Sequence, residues 1–447
     1  MISKNNSKIL EQEIDWFSRV LDVRISLYFE QSCDYKNVNE ISHPDLSNEN
    51  SEYASVVNTH NMGFDERIIL ILAMLPHIRP QALDTLFIQN KNLDRGYVEF
   101  GGWKGKYHGG FLPTCETVSF ILAGNDLSKR FEIIRLFESD HFFSKSDMLR
   151  VERQTEDEPF FSGALIISSN TLSLCTSGIS HKPDYSLTFP AKRITSKLNW
   201  DDLVLAPQVL AEIENVKTWI KNSTTIMSEW GLEKSIKPGY RSLFYGPPGT
   251  GKTLTATLLG TEVGVDVYRI DLSMIVSKFI GETEKNLANV FDQAENKNWI
   301  LFFDEADALF GKRTQTSSSN DRYANQEISY LLQRIEDYPG VVILATNLKA
   351  NIDEAFSRRF QSLVYFPLPD ATLRHRLWKN TLNGKKDLSE NIDLNQLAEE
   401  YELSGGAIIN VVRYGAINAL QMERNALNHH DLVNGVMKEL RKEGKTI

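Results

Sequence analysis

The chain is poor in cysteine: Cys33, Cys115 and Cys175 are the full set among 447 residues. An odd number at such wide spacing provides neither a disulfide framework nor a Cys-x-x-Cys metal knuckle, and a reducing cytoplasm is the expected setting. Long apolar runs are missing too. The longest, Ile68 to Leu75, stops at Pro76, far short of the ~20 residues that a membrane helix requires. Met1 to Leu10 is polar rather than signal-like, so no membrane association is expected. Basic charge is in deficit, 49 Lys and Arg against 59 Asp and Glu. The average surface field therefore repels phosphate backbones, and nucleic acid is not the expected partner. No internal repeat occurs, and low complexity is confined to the polar stretch Thr314 to Asn320. What remains is ordinary globular composition, 41% hydrophobic and 24% charged, in a chain long enough for two or three cores.

From Ile9 to Tyr28 apolar residues recur at spacings of three and four, which predicts an amphipathic helix. The polar stretch Asn37 to Asn61 reads as loop, Asp65 to Leu75 and Gln81 to Ile88 as helices, and Thr114 to Gly124 as a helix with an N-cap and a C-terminal glycine. Gly163 to Ser177 is strand-like, and His181 to Lys197, with Pro183 and Pro190, reads as a linker. Beyond Trp200 short apolar runs alternate with helical patterns, as in a parallel sheet wrapped by helices. The strands predicted are Ser242 to Tyr245, Asp266 to Ile270, Ile300 to Phe303, Val341 to Ala345 and Leu363 to Phe366; from Pro369 onward every pattern is helical. The expectation is an α/β fold in three parts. Residues 1–195 form a mostly helical domain for partners or substrate, 196–368 a large domain with a five-stranded parallel sheet and flanking helices, and 369–447 a small helical lid.

Gly246-Pro247-Pro248-Gly249-Thr250-Gly251-Lys252-Thr253 fits G-x-x-x-x-G-K-[ST] between a strand and the helical pattern that begins at Leu254. Glycines let backbone N–H groups curl around phosphate oxygens, and the following helix adds the positive end of its dipole. Lys252 would reach the β- and γ-phosphates of ATP, and Thr253 would offer its hydroxyl to Mg²⁺. The apolar run Ile300 to Phe303 then delivers Asp304 and Glu305 at its C-terminal end, where open parallel sheets bind ligands. Asp304 is assigned to the Mg²⁺ shell and Glu305 to the attacking water, because metal binding and in-line attack require separate groups. Asp307, two residues on, can equally be solvated surface.

With these motifs in this order, the chain from about Trp200 onward resembles an AAA+ ATPase module of the group containing proteasomal ATPases and microtubule-severing enzymes. The resemblance implies a P-loop NTPase fold and a homo-oligomeric ring, a hexamer. It makes Asn347, at the end of VVILATN, the first sensor that orients the water. It makes Asp353 to Phe360 the arginine-finger segment, here without the Pro-Gly that normally separates the two arginines, so that Arg358 or Arg359 meets the neighbouring subunit's nucleotide. Asp202 lies where the family's linker passes the adenine, and Gly406 where the small domain closes over the base; each can also be read as a strand start or a helix cap. Phe279, in Lys278 to Glu282, resembles the pore-loop aromatic that grips a polypeptide, with core packing as its bland reading. Arg313 and Arg322 line the same pore or solvate a face. Over the full length, including Phe111 to Thr117 and Ser277 to Leu287, the chain is similar to ATPases associated with phage-tail-like contractile injection systems.

The expected function is ATP hydrolysis coupled to remodelling, unfolding or loading of a protein substrate, which passes through the pore and the N-terminal domain. Two alternatives stand beside it: a nucleotide-gated assembly switch that threads nothing, and a nucleic-acid motor. The acidic balance and the absence of a helix-turn-helix or zinc module weigh against the second.

Overall fold

The protein is described by a computed structural model that covers every residue except 1, 93, 106, 154, 156, 187–188, 273–281, 296, 308–328, 348–356, 383–391, 443 and 445–447. It divides into two compact units, Met1–Lys182 and Pro183–Ile447.

The first unit is built on α1 (Ile2–Tyr28), α2 (Glu52–Thr59), α3 (Phe64–Ile78), α4 (Cys115–Leu122), α5 (Leu127–Arg135), α6 (Phe142–Lys145) and α7 (Ser169–Ser177). Three short antiparallel pairs fill the gaps: β1 (Gln89–Asn90) with β2 (Arg95–Gly96), β3 (Trp103–Lys104) with β4 (Phe111–Leu112), and β5 (Leu149–Glu152) with β6 (Ala164–Ile167). The helical stripe read from Ile9 onward is buried along its length, with Trp16, Phe17 and Val20 fully inside. The polar stretch 37–61 is not all loop. Ser51 caps α2 by accepting a hydrogen bond from the Ala54 N–H at 3.1 Å, and the short helix buries Tyr53, Ala54 and Val57. Nor is 163–177 all strand: β6 ends at Ile167, and Ser168 caps α7 by accepting from the Thr171 N–H at 3.2 Å. The stretch predicted as helix over 81–88 is a 3-10 segment, Pro80–Phe87. In the core Arg67 pairs with Glu13, and the Tyr53 hydroxyl donates to Glu13 Oε2 at 2.9 Å. A buried charge pair needs such extra partners to offset its lost hydration.

The second unit carries a six-stranded sheet in the order β12 (Ser362–Tyr365), β8 (Tyr240–Tyr245), β11 (Val341–Thr346), β10 (Ile300–Asp304), β9 (Val267–Asp271) and β7 (Lys192–Ile194). The five expected strands are there and are parallel, but the sheet is mixed, because β7 adds an antiparallel edge beside β9. The stretch expected to be a linker is thus part of the sheet. Phe189 and Ala191, just before β7, are buried, and Phe189 meets the edges of Tyr268 and Trp299. Alternation sorts the central strands between two cores. Leu301 and Phe303 join Leu287, Val290 and Phe291 of α10 (Glu282–Glu295). Ile300 and Phe302 join Val209 and Ile213 of α8 (Pro207–Thr224) and Leu258 and Leu259 of α9 (Lys252–Val263). Both faces are covered, so β11 is buried at all six positions.

Four helices close the chain: α11 (Ala371–Leu382), α12 (Leu394–Glu400), α13 (Gly405–Gln421) and α14 (His429–Lys442). Their core centres on Trp378, Leu397, Val411, Leu432 and Val436. Asp431, 1% exposed, accepts two hydrogen bonds of 2.7 Å from Arg424 and one of 2.8 Å from Asn418. The Arg424 hydrogen bonds, with those from Asn428 and Asn418, hold its carboxyl at about 2 despite burial. No helix among the described residues is long and apolar enough to cross a membrane.

Candidate active site

Strand β8 delivers the loop 246–251 to the start of α9, whose first residue is Lys252. Gly246, Gly249 and Gly251 take φ values of +143°, +74° and +100°, which only glycine adopts without strain. At Gly249 space is short as well: a Cβ there would lie 2.6 Å from Ser404 Oγ. Thr250 Oγ1 donates to the Pro247 carbonyl at 2.9 Å, which closes the loop, and Pro248 lies in the same curl. Lys252 is 8% exposed and its Nζ donates to the carbonyls of Gly246 and Pro247 at 2.7 and 2.9 Å. Burial lowers its pKa to about 8, against the opposing pull of Asp304 and Asp307. Thr253 sits half-buried beside it at the N-terminus of α9, followed by the half-buried Leu254.

Asp304 is the last residue of β10, two positions beyond Phe302 and on the same face, so its carboxylate lies on the α9 side of the sheet. Its Oδ1 accepts from the Glu305 N–H at 3.0 Å, and its Oδ2 lies 3.0 Å from Arg269 Nε of β9. Glu305 is exposed and has φ +53°, a left-handed conformation that costs a non-glycine residue about 1 kcal/mol or more and here turns the chain off the strand. Asp307 is not solvated surface: Thr346, 1% exposed, donates its hydroxyl to Asp307 Oδ1. That bond ties the turn after β10 to the end of β11, where the exposed Asn347 follows. Lysine, threonine hydroxyl and carboxylate thus converge on one sheet end, a donor set of hard oxygens that suits Mg²⁺ and a polyphosphate.

Beside the loop opens a cavity of about 460 Å³. Leu203 and Leu205 come from the segment before α8, Leu254 from α9, Leu373 and Leu377 from α11, and Ile409 from α13; Asp202 and Gly406 also line it. The Gly406 N–H donates to the Gly249 carbonyl at 2.9 Å, so the small helical domain is bonded to the phosphate loop itself. Asp202 spends its carboxylate locally: Oδ2 accepts from the Asn199 N–H at 2.8 Å. The wall from α11 and the Arg269 contact were not anticipated. The signals were there, as Leu373 and Leu377 stand four apart on α11 and Arg269 is a lone charge inside an apolar strand.

Of the two expected finger arginines, Arg359 Nη1 lies 2.6 Å from Glu336 Oε1 of its own chain, and Arg358 is exposed. Phe279, Arg313 and Arg322 lie outside the described residues, as do 353–356 of the finger segment.

Residues 242–368 match the AAA family model, the ATPase family associated with various cellular activities. This segment is an AAA ATPase domain, an ATP-hydrolysing module. It is similar to the A-like 1 form of the ATPase-containing katanin p60 of Danio rerio, at 30% identity over 252 residues, 53% of this chain and 49% of that protein. Vacuolar protein sorting-associated protein 4B of Mus musculus is 33% identical over 197 residues, 43% of this chain and 44% of its own. Cell division protein C of Sulfolobus acidocaldarius is 36% identical over 228 residues, 46% of this chain and 59% of its own. The chain spans about half the length of the curated relatives it matches.

Proposed function

We propose that the protein hydrolyses ATP as a ring of identical subunits, a hexamer, and uses the energy to remodel, unfold or load a protein substrate in the cytoplasm. The observation that carries this reading is the convergence of Lys252, Thr253, Asp304 and Glu305 at one sheet end beside an apolar cavity of nucleobase size. Adenine enters the cavity between Leu203 and Ile409, against Asp202 and Gly406, and the phosphates lie along the N–H groups of 246–254.

Lys252 leaves its own loop carbonyls for the β- and γ-phosphates. Thr253 and Asp304 would hold Mg²⁺, which when bound supplies charge neutralisation at the phosphate oxygens. Glu305 orients water for in-line attack and takes its proton, so that a new P–O bond forms as the bond to the β-phosphate oxygen breaks. Asn347 holds the water against the γ-phosphate. Arg358 or Arg359 of the neighbouring subunit stabilises the charge that develops, which makes a ring necessary for turnover. The Gly406–Gly249 bond gives the small domain a direct hold on the phosphate loop, through which the change from ATP to ADP moves one domain against the other. In this reading Phe279 carries that motion to a polypeptide in the pore, residues 1–195 select the partner, and the system served is a contractile injection apparatus, as the full-length resemblance implies.

The test is the Glu305→Gln protein purified with ATP from its host. It should retain ATP and a bound polypeptide without turning over. Near-normal turnover would remove Glu305 from its role, and co-purifying nucleic acid instead of protein would overturn the substrate class.

A further inference from the structure

Asp304, which the proposed mechanism assigns to Mg²⁺, is held by a cation that the mechanism does not use. Arg269 sits on β9 opposite Phe302 of β10, with β9 clamped between β10 and β7, so its backbone position is fixed from both sides. Alternation along β9 puts Val267 and Arg269 on the α9 face, and the guanidinium reaches forward past Phe302 to Asp304. Arg269 Nε lies 3.0 Å from Asp304 Oδ2, yet its N–H is out of line and makes no hydrogen bond among the described residues. The contact is therefore a charge pairing with little directional hold, between side chains 39% and 19% exposed. A purely structural arginine in the same chain looks different: Arg424 gives Asp431 two in-line bonds of 2.7 Å.

We propose that Arg269 is a positioning residue of the ATP site, whose guanidinium counters the Asp304 carboxylate and thereby sets the Mg²⁺ concentration at which nucleotide is held. The inference rests on the reading of Asp304 given above. A cation this close to one carboxylate oxygen opposes a second, divalent cation at the same group, and partial exposure reduces the opposition without abolishing it. Removing the charge makes Asp304 a stronger metal ligand. The site then needs less Mg²⁺.

The experiment uses the full chain and a fluorescent N-methylanthraniloyl-ADP, with binding followed across a Mg²⁺ series and in EDTA. Arg269→Gln should lower the half-saturating Mg²⁺ concentration about five- to tenfold, with affinity in EDTA unchanged. Arg269→Met, which keeps the aliphatic stem packed on the strand, carries the same expectation should the Gln protein fold poorly, and Arg269→Lys should stay within about twofold of the parent. Placed in an Asp304→Asn background, Arg269→Gln should shift the Mg²⁺ requirement no further. An unchanged or raised half-saturation in both neutral variants, or a full shift in the Asp304→Asn background, would overturn the proposal. Should the parent protein bind no nucleotide under any condition, the ATPase reading itself falls; should it bind with a clear Mg²⁺ dependence that the variants leave in place, only the role of Arg269 does.

Discussion

Two carboxylates in the second unit, Asp304 and Asp431, each face an arginine, and they are built to opposite ends. Asp431 is 1% exposed and saturated, with both oxygens taken by Arg424 and further bonds from Asn418 and the Asn428 N–H. Asp304 has one backbone N–H and an out-of-line guanidinium, and stands at the mouth of a phosphate loop. A closed network stabilises what it joins and has no lone pair left for a ligand. An open one contributes little to stability and keeps its lone pairs for a ligand. The same contrast holds between units, since the Glu13–Arg67 pair of the first is enclosed by Tyr53 and the Pro44 carbonyl.

The largest effect that would break this contrast belongs to the open site. Arg358→Ala and Arg359→Ala should each keep nucleotide binding, and the one that serves as finger should lose ~10³- to 10⁵-fold in hydrolysis. Mixing that protein with Lys252→Ala should restore activity at mixed interfaces, and wild-type turnover in both arginine variants would end the assignment. Glu305→Gln should slow hydrolysis by about 10²- to 10⁴-fold in a steady-state phosphate-release assay. Its melting temperature should be at least that of the parent, because the residue is exposed and held at φ +53°. The closed site should behave in reverse. Asp431→Ala should cost about 3 kcal/mol of stability by calorimetry, as removing one member of a buried pair does, with the phosphate loop itself unaltered. Equal stability losses for Asp304→Asn and Asp431→Ala would show that the two clusters do not differ as described.

The smallest effect is acid sensitivity. Asp431 is held at about 2, below its ordinary 3.8, first by the Arg424 hydrogen bonds. A depressed carboxyl contributes stability that is complete above its unfolded value and is lost as pH falls through the folded one. The small helical domain should therefore lose on the order of 2 kcal/mol between about pH 4 and pH 2, and Arg424→Ala should flatten that slope in acid unfolding curves.

The phosphate loop was legible in the sequence because its requirements are local: glycines where φ is positive, a lysine, and a strand and a helix on either side. The five parallel strands were legible because strands covered on both faces are uniformly apolar, and their ends were misplaced by only one or two residues. The antiparallel β7 was not, since Lys192-Arg193-Ile194 is polar, lies next to Pro190, and becomes a strand only when β9 offers an open edge. For the same reason α2 was hidden in a polar stretch, where a few buried residues and a serine cap suffice. The cavity wall on α11 depends on how two separately folded pieces meet, which no local pattern encodes. Arg269 was visible as a charge in an apolar strand, but its partner is set by strand order.

Strand β7 also imposes an order of assembly. It precedes the whole parallel sheet in the chain yet pairs with β9, so during synthesis it emerges before its partner exists. Phe189 and Ala191 stay uncovered until β9 and Trp299 are made and folded. The last-formed edge of the sheet is then the one nearest the ribosome-first end, and the basic pair Lys192 and Arg193 keeps that waiting edge from pairing with another chain.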